Sequence, residues 1–479
     1  MSVSANIKSI QDIMRQDVGV DGDAQRISQL GWMFFLKMLD DREQENEEII
    51  DGYQPIVPDQ YRWCNWAAKE EKDSLTGENL LTFIQQMFEE LKGLPGSTSG
   101  HAMVQSLFQD QFNYMKSGTL IRQVVNKINQ IDFNASADRH QFGDIYEQIL
   151  ASLQSAGNAG EYYTPRAVTQ FMVDQIDPQL GEIVLDPACG TGGFLACATE
   201  HIRSKYVQTP EQEQQLQQLI SGVEKKPLPH LLCTTNMILH KFDQPNIKRD
   251  NTLNRPLRDY GPADRVDVIV TNPPFGGTEE EGVENNFPAN VRTKETADLF
   301  LVLIMRLLKQ GGRAAVVLPD GFLFGDGVKE RIKSILLEEC NLHTIVRLPN
   351  NVFAPYTGIK TNLLFLDKGQ PTKEIWYYEH PYPPGAKSYN KTKPIRIQEF
   401  EAEKEWWTDR QESEYAWCVP VEEIQNNNYN LDIKNPNVVE EQLGDPQELM
   451  TAFEQDMQTL AATKQQLRQA LESALEAAS

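Results

Sequence analysis

Two short segments near the middle of the chain contain residues suited to group-transfer chemistry. The first is DPACGTGGF at residues 186–194, which follows the apolar run 183–185 and precedes a helical pattern. Its glycines permit a tight turn and close approach of the backbone to a ligand, and the helix start adds unpaired N–H donors. Asp186 suits a ligand that carries an amine, such as the methionine moiety of S-adenosylmethionine. Because GxxxxGK[ST] is absent, ATP and GTP are not implied.

The second segment is Asn272, Pro273, Pro274 and Phe275, directly after the strand-like run 266–270. The prolines stiffen the chain and remove two backbone donors, which leaves the Asn272 side-chain oxygen and the Pro273 carbonyl as acceptors. Two acceptors can hold an exocyclic –NH₂ group and direct its lone pair at an electrophile, so that catalysis rests on positioning and electrostatics. Phe275 offers a flat face for a stacked base. The segment therefore predicts methylation of an amine.

Two acidic residues complete the predicted ligand site. Glu224 ends the next strand-like run, 219–223, where a carboxylate can accept both hydroxyls of a ribose; the alternative is a solvated surface glutamate. Asp250 follows the apolar step at Ile247 and could hydrogen-bond an adenine amine, with a turn aspartate as an equal alternative. No metal site is predicted, because the histidines have no partner at ligand spacing and the six cysteines form no CxxC.

Hydrophobic periodicity divides the chain into three parts. Residues 1–155 show apolar spacings of three and four without strand-like alternation, which predicts an all-α N-terminal domain. Residues 156–400 alternate short β-rich runs with helical segments, which predicts a catalytic domain with a mostly parallel sheet and a ligand site beyond the carboxyl ends of its strands. In residues 401–479, a heptad-like pattern from about Asp445 predicts one long helix. That helix packs on its own domain or pairs with another subunit.

The composition is that of a globular protein with an uneven negative charge. Of the 479 residues 40% are apolar, and 45 basic against 69 acidic residues give a formal net charge of −24. From Glu401 onwards there are 5 basic and 17 acidic residues. Phosphate contacts need Lys and Arg, so extensive non-specific DNA binding by this chain alone is disfavoured, whereas a local DNA-facing cleft is not. One basic cluster, Lys248, Arg249, Arg255 and Arg258, could contact phosphate or form a solvated loop.

The N-terminus and the cysteines bear on the compartment. No signal-peptide pattern and no run of about 20 apolar residues is present, and the scattered cysteines fit a reducing cytosol. We therefore expect a cytoplasmic protein without a membrane partner.

Taken together, DPACGTGGF and NPPF resemble motifs of the amino-methyltransferases of DNA. With GEYYTPR at residues 160–166, they resemble the modification (M) subunit of type I restriction–modification systems, a prokaryotic family of adenine-N6 DNA methyltransferases. Residues 144–150, 316–321 and 348–353 also match that family. The resemblance implies an α/β fold of the S-adenosylmethionine-dependent methyltransferases, Rossmann-like, with a mostly parallel seven-stranded sheet, an all-α N-terminal domain and a helical C-terminal tail.

The resemblance also assigns roles to residues at matching positions. Asn272, Pro273, Pro274 and Phe275 would hold the target adenine, which must leave the duplex to reach such a pocket. Combined with the motif analysis, the predicted contacts of S-adenosyl-L-methionine are Glu161, Tyr162, Tyr163, Thr164, Pro165, Arg166, Asp186, Gly190, Thr191, Gly192, Gly193, Glu224 and Asp250. The implied partners are DNA, a specificity (S) subunit that reads the DNA sequence and contacts the long C-terminal helix, a second M subunit, and a restriction (R) subunit in the full complex.

Three other functions fit parts of the pattern. An NPP turn can also hold the carboxamide of a glutamine, as protein glutamine-N5 methylation requires, although the long N-terminal domain and tail disfavour it. Cytosine-N4 methylation uses the same amine chemistry. The third is a non-catalytic clasp that only assembles on the S subunit, against which the intact glycine turn and NPPF argue.

Overall fold

The computed structural model describes most of the chain. The described residues are 3–69, 71–133, 146, 164–275, 277–354, 357–390, 392–437 and 446–477. The chain divides into two compact units, Met1–Lys434 and Asn435–Ser479, and each is described by itself. Within the described residues, no helix combines the length and apolarity that crossing a lipid bilayer requires.

Helices alone make up the regular structure that is described between residues 3 and 133, apart from short 3₁₀ turns. The α-helices are α1 (Val3–Met14), α2 (Asp23–Ile49), α3 (Trp63–Trp66), α4 (Gly77–Lys92), α5 (Ser99–Phe108) and α6 (Gly118–Ile128). Side-chain caps explain where α5 and α6 begin. The Thr98 and Ser117 hydroxyls accept hydrogen bonds from the backbone N–H groups of His101 and Leu120, respectively. The predicted helical N-terminal region is therefore confirmed for these residues.

A nine-stranded sheet forms the centre of the first unit. Its strands are β1 (Val184–Asp186), β2 (Ile220–Glu224), β3 (Asn246–Arg249), β4 (Val266–Thr271), β5 (Leu308–Pro319), β6 (Cys340–Arg347), β7 (Thr361–Lys368), β8 (Glu374–Glu379) and β9 (Ala416–Pro420). Their order across the sheet is β3-β2-β1-β4-β5-β7-β6-β8-β9. Five pairings are parallel and three are antiparallel, so the prediction of a mostly parallel sheet is confirmed.

The sheet has nine strands, and the expected number of seven was wrong. The two added strands are β8, which is rich in aromatic residues and pairs with β6, and β9, which pairs with β8. β9 lies beyond residue 400, where the sequence predicts the end of the catalytic domain, and it nevertheless belongs to this sheet. β3 was not recognisable from the sequence, because a polar edge strand in which only Ile247 is half-buried has no apolar alternation.

Helices cover the sheet and account for the long apolar runs in its central strands. They are α7 (Arg166–Ile176), α8 (Gly193–Tyr206), α9 (Pro210–Leu219), α10 (Pro227–Leu239), α11 (Thr296–Leu307), α12 (Asp320–Phe324), α13 (Val328–Glu339), α14 (Glu401–Thr408) and α15 (Val421–Asn426). In β4, Val268, Ile269 and Val270 are fully buried in succession. Burial of consecutive residues is typical of a parallel strand that is covered on both faces.

The N-terminal helices pack directly on α10. Leu231, Leu232, Ile238 and Leu239 of α10 belong to the apolar core of the N-terminal helices. The packing is close, because a Cβ at Gly31 of α2 would lie 2.9 Å from a Leu231 methyl carbon. Two polar bonds fix the end of α2: Arg42 Nε and Asn46 Nδ2 donate to Asp243 Oδ1 at 2.7 and 2.9 Å.

The second unit contains one long helix, α16 (Pro446–Ala477). Its existence and start confirm the prediction from the heptad-like pattern. A row of large apolar side chains on it is between 49% and 72% exposed: Met450, Phe453, Met457, Leu460 and Leu467. We call this row the α16 apolar stripe.

Candidate active site

The two motif segments emerge from neighbouring strands at one edge of the sheet. β1 and β4 pair in parallel, so their carboxyl ends meet, and the strand order reverses direction between them. Such switch points are where open α/β sheets bind ligands. A hydrogen bond closes the junction: Thr271 Oγ1, at the end of β4, donates to Asp186 Oδ1, at the end of β1, at 2.6 Å. The structure therefore places the glycine turn and Asn272 on the same side of the molecule.

The glycine turn has a conformation that other residues rarely adopt. Gly190 and Gly192 have φ angles of 53° and 83°, a region that favours glycine. A Cβ at Gly192 would lie 2.8 Å from the Cys233 sulfur on α10, whereas one at Gly190 would meet no atom within 4 Å. The turn is thus packed against α10 at Gly192 and open at Gly190. Gly193 begins α8, so the unpaired N–H donors of that helix lie at the turn.

Glu224 is tied to the glycine turn. Its Oε2 accepts the Gly190 backbone N–H at 2.9 Å, and its Oε1 accepts that of Lys226 at 2.7 Å. Burial raises the pKa of this carboxyl above its usual range, although the backbone donors act in the opposite direction. Asp250 lies next to it, because its backbone N–H donates to the Glu224 carbonyl at 3.1 Å, and its own side chain is exposed. The structure therefore brings both predicted acidic residues to the edge of the glycine turn.

Asp186 is nearly inaccessible to solvent, with an exposure of 1%. Besides the Thr271 hydroxyl, its Oδ1 accepts the Ala188 backbone N–H at 3.1 Å. Burial raises the pKa of this carboxyl to about 7, because desolvation outweighs these two hydrogen bonds, and the negative charge of Glu224 adds to the effect. Asp186 therefore changes its charge near neutral pH.

The carboxamide of Asn272 is oriented by a single described hydrogen bond. Its Nδ2 donates to Thr164 Oγ1 at 2.9 Å. Its Oδ1 is buried and, among the described residues, has no hydrogen-bond donor. A buried acceptor without a donor costs about 1–3 kcal/mol, so the structure keeps here an oxygen that is ready to accept a hydrogen bond from a ligand.

The rest of the NPPF segment is packed more tightly than the sequence predicts. Pro273 is buried and Pro274 is half-buried. Phe275 is 1% exposed, and its ring lies edge-on to Phe353 with centroids 6.3 Å apart and an angle of 87°. In this conformation Phe275 presents no face on which a base could stack.

The GEYYTPR segment is only partly described. Glu161, Tyr162 and Tyr163 lie outside the described residues. Thr164 contacts Asn272, and Pro165 directly precedes α7. Arg166 forms an ion pair with Glu200 in the second turn of α8, which is a different position from the glycine turn that the sequence analysis grouped it with.

Sequence analysis missed the residues of α10 that hold the glycine turn. Asn236 Nδ2 donates to the Thr191 carbonyl at 3.2 Å, and the Cys233 sulfur lies 3.7 Å from that of Cys189. This contact and burial raise the pKa of the Cys189 thiol well above its usual range. The available signal was Asn236 itself, a polar residue within the apolar run 231–239.

This fold, with its site at the β1–β4 junction, defines an α/β methyltransferase of the Rossmann-like class. A profile of the family described as N-6 DNA Methylase matches residues 137–445, and a profile of the HsdM N-terminal domain matches residues 3–128. The type I restriction enzyme EcoEI methylase subunit of Escherichia coli is 58% identical, and the alignment covers 99% of each chain.

Solved structures give the same result. A modification subunit of a type I restriction enzyme from Vibrio vulnificus YJ016 is 45% identical with a TM-score of 0.83, covering 91% of this chain and 97% of the other. A chain from a study of type I R-M complex assembly is 37% identical with a TM-score of 0.80, covering 98% of both. The protein belongs to the N-6 DNA methylase family, as the methylase subunit of a type I restriction–modification system, and is an adenine-specific DNA methyltransferase.

The contact between Thr164 and Asn272 gives the first testable prediction. Thr164→Val should lower kcat for DNA methylation about tenfold, because an unsatisfied amide donor costs about 1–3 kcal/mol and the carboxamide loses its fixed orientation. Thr164→Ser retains the hydroxyl and should stay within about twofold of the original enzyme. Steady-state kinetics with DNA and the methyl donor, in the presence of the S subunit, measures both. Equal losses in the two variants would contradict a positioning role for this hydroxyl.

Proposed function

We propose that this chain transfers a methyl group from S-adenosyl-L-methionine to N6 of an adenine that has left the duplex. The observation that carries the proposal is the buried Oδ1 of Asn272, which has no hydrogen-bond donor among the residues that the structure describes and lies at the same sheet edge as the glycine turn. An exocyclic amine is the donor that this oxygen lacks. A base must leave the stack to reach a recessed atom of this kind.

The residues around the glycine turn fit the methyl donor. The open side of Gly190 leaves room for the ligand against the backbone, and the start of α8 supplies N–H donors. Glu224 retains free lone pairs for ribose hydroxyls, Asp250 lies beside it, and the ionised Asp186 suits a ligand ammonium. When bound, S-adenosylmethionine supplies a methyl group on a positively charged sulfur. We retain all six residues of the segment 161–166 as contacts: Glu161, Tyr162, Tyr163, Thr164, Pro165 and Arg166. Arg166 also anchors α7 to α8 through its ion pair with Glu200.

The chain's own residues can orient the adenine amine without a general base. Asn272 Oδ1 accepts one N–H of the amine, and the Pro273 carbonyl accepts the other. Two acceptors draw the hydrogens into one plane and direct the nitrogen lone pair out of it. This is catalysis by orientation and preorganised dipoles, and it requires no catalytic histidine or cysteine.

Phe275 directly follows the two prolines and anchors that end of the bend in the core. Its ring is buried against Phe353. We therefore expect Phe275 to affect retention of the base through the shape of the bend.

We further propose that the chain works in the cytoplasm with DNA, an S subunit, a second M subunit and, in the complete complex, an R subunit. The chain is too acidic to supply the main DNA-binding surface, with its formal net charge of −24. The relatives named above are methylase subunits of multi-subunit enzymes. The α16 apolar stripe is a surface that suits coiled-coil pairing with the S subunit.

Asn272→Ala tests the proposed reaction. The variant should lose DNA methylation by at least a hundredfold, because the amine loses the acceptor that orients it, and should bind S-adenosylmethionine within about threefold of the original chain. Transfer of a labelled methyl group with the S subunit present, followed by identification of the modified nucleoside, measures the first quantity, and calorimetry the second. The control is Asn254→Ala, an exposed asparagine near the same sheet edge. Label in N4-methylcytosine or in protein would overturn the adenine assignment.

The pKa of Asp186 predicts a pH dependence of donor binding. Its value of about 7 means that the carboxyl becomes protonated, and loses its attraction for an ammonium group, as the pH falls below 7. The affinity for S-adenosylmethionine should therefore fall about tenfold between pH 7.5 and pH 6, since about a tenth of the groups stay ionised one unit below the pKa. Asp186→Asn should bind weakly at both values and remove most of this dependence. Calorimetry at both pH values measures these affinities. The control, Asp250→Asn, should show the same fall in affinity between pH 7.5 and pH 6 as the original chain.

The α16 apolar stripe predicts a loss of assembly on substitution. Met457→Glu with Leu460→Glu should abolish co-purification of the S subunit, because two carboxylates would have to be buried at the seam. The matched control, Gln458→Glu with Gln465→Glu, adds the same charge at exposed polar positions of α16 and should leave assembly intact. Donor binding should be unchanged in both. Full assembly of the first pair would exclude the stripe as the contact.

A further inference from the structure

Two adjacent cavities lie in the methyltransferase region away from the active site. Their volumes are about 390 and 540 Å³, and they share Leu257, Pro288 and Arg306 as lining residues. Arg265 and Lys368 line the first, and Arg258 and Arg292 line the second. We call the pair the arginine cavity.

The arginine cavity opens at the sheet edge opposite to the active site. Arg265 directly precedes β4, and Leu308 begins β5, so both lie at the amino ends of parallel strands. Lys368 ends β7, which runs antiparallel to β5 and therefore finishes at the same edge. Asn272 follows the other end of β4, whose six residues span about 20 Å. The cavity is thus separate from the site of methyl transfer.

The charge of the lining contrasts with that of the chain. Four arginines and one lysine line the arginine cavity, and the only carboxylate in the lining is Glu339, which pairs with Lys368. The chain as a whole has 69 acidic and 45 basic residues. A local excess of four positive charges in so acidic a chain favours the binding of an anion.

Three of the four arginines of the cavity, Arg265, Arg292 and Arg306, form no ion pair with an acid in the described part of the chain, whereas Arg258 pairs with Asp259. The Nε atoms of Arg265 and Arg306 are buried without an acceptor there, and neither side chain forms an ion pair with a described acid. Arg292 reaches only the Phe287 carbonyl, at 3.4 Å, among those residues, and Arg258 lies 3.7 Å from Asp259 with 87% exposure.

The neighbouring arginines of the predicted basic cluster behave differently. Arg255 forms a two-pronged pair with Asp264 at 2.7 and 3.1 Å, and Arg249 pairs with Asp110. Of that cluster, Arg258 is the member that lines the cavity. Within this cluster, therefore, Arg249 and Arg255 have a carboxylate partner and are not available to a ligand in the cavity.

The shape and the floor of the cavity indicate what would bind there. Both volumes lie within the range of small-molecule sites, about 300–1,000 Å³. Val302, Met305 and Ile335 supply an apolar floor, and guanidinium groups match phosphate oxygens in geometry and charge. A DNA duplex is convex and would be engaged by the opposite sheet edge, so a recessed cavity here suits a small ligand better.

We propose that the arginine cavity binds a nucleoside polyphosphate, with its phosphates on Arg265, Arg292, Arg306 and Arg258 and its ring on the apolar floor. The ligand's charge of about −3 to −4 would balance that of the lining. The site is independent of the methyl-transfer site in position and in ligand.

Calorimetric titration of the full chain with ATP tests the proposal, and tripolyphosphate is the comparison. ATP should bind, and more tightly than tripolyphosphate, because only ATP has a ring for the floor. Arg306→Met and Arg265→Met should each weaken ATP binding about tenfold, since each removes charge-assisted hydrogen bonds to phosphate oxygens. Arg258→Met, at an exposed position that folding does not need, should weaken it about threefold. Arg15→Met removes an exposed arginine directly after α1 and should have less than a twofold effect.

The controls separate the outcomes. S-adenosylmethionine binding should be unchanged in all four variants, which would show that they fold. A failure of ATP binding would then be distinct from a failure of the proposed methylation. No ATP binding by the original chain, or equal weakening by Arg15→Met, would overturn the proposal. If a short DNA duplex binds instead, and its affinity falls in Arg265→Met and Arg306→Met, the arginines bind phosphates of the DNA backbone and the nucleotide assignment is wrong.

Discussion

The parallel pairing of β1 with β4, closed by the hydrogen bond from Thr271 to Asp186, is the constraint on which the site depends. It fixes the distance between two loops that are about 80 residues apart in sequence. Without that junction, the glycine turn and the di-proline bend would not lie side by side, and neither loop alone forms the site. The carboxyl at this junction has a pKa raised to about 7 by burial, against the opposite effect of the hydrogen bond from Thr271, so the junction that joins the strands also contains a group that titrates near neutral pH.

The distribution of charge is the second organising feature. Most arginines of the methyltransferase region are used internally, as in the pairing of Arg313 with Glu182 at 2.6 Å and its bond to the Ile176 carbonyl at 2.7 Å. Such pairs stabilise the surface of the sheet domain. Because their charge is already balanced, these arginines attract a polyanion only weakly. An acidic chain that acts on DNA must therefore obtain much of its positive surface from other subunits, and its few unneutralised cations mark places where a ligand could bind.

The sequence predicts the chemistry of this protein better than its geometry. Asp186, the glycine turn and Asn272 are recognisable because their residue types follow apolar runs directly. The burial of Phe275 against Phe353 was not predictable, since those residues are distant in sequence and only the packed core brings them together. The hydrogen bond from Asn272 to the Thr164 hydroxyl was not predictable either, because resemblance suggests a cofactor contact for Thr164 and says nothing of Asn272. β3 was missed because an edge strand with polar residues has no periodic signal.

Helix α10 has a consequence for how the subunit responds to its surroundings. One face of it belongs to the core of the N-terminal helices, where it meets Gly31, and the other carries Cys233 and Asn236 against the glycine turn. A single helix thus forms the common wall of two cores. If a partner binds more tightly to a state in which α10 is displaced at the turn, it changes the affinity of the turn for its ligand. By thermodynamic reciprocity the ligand then changes the partner's affinity by the same factor.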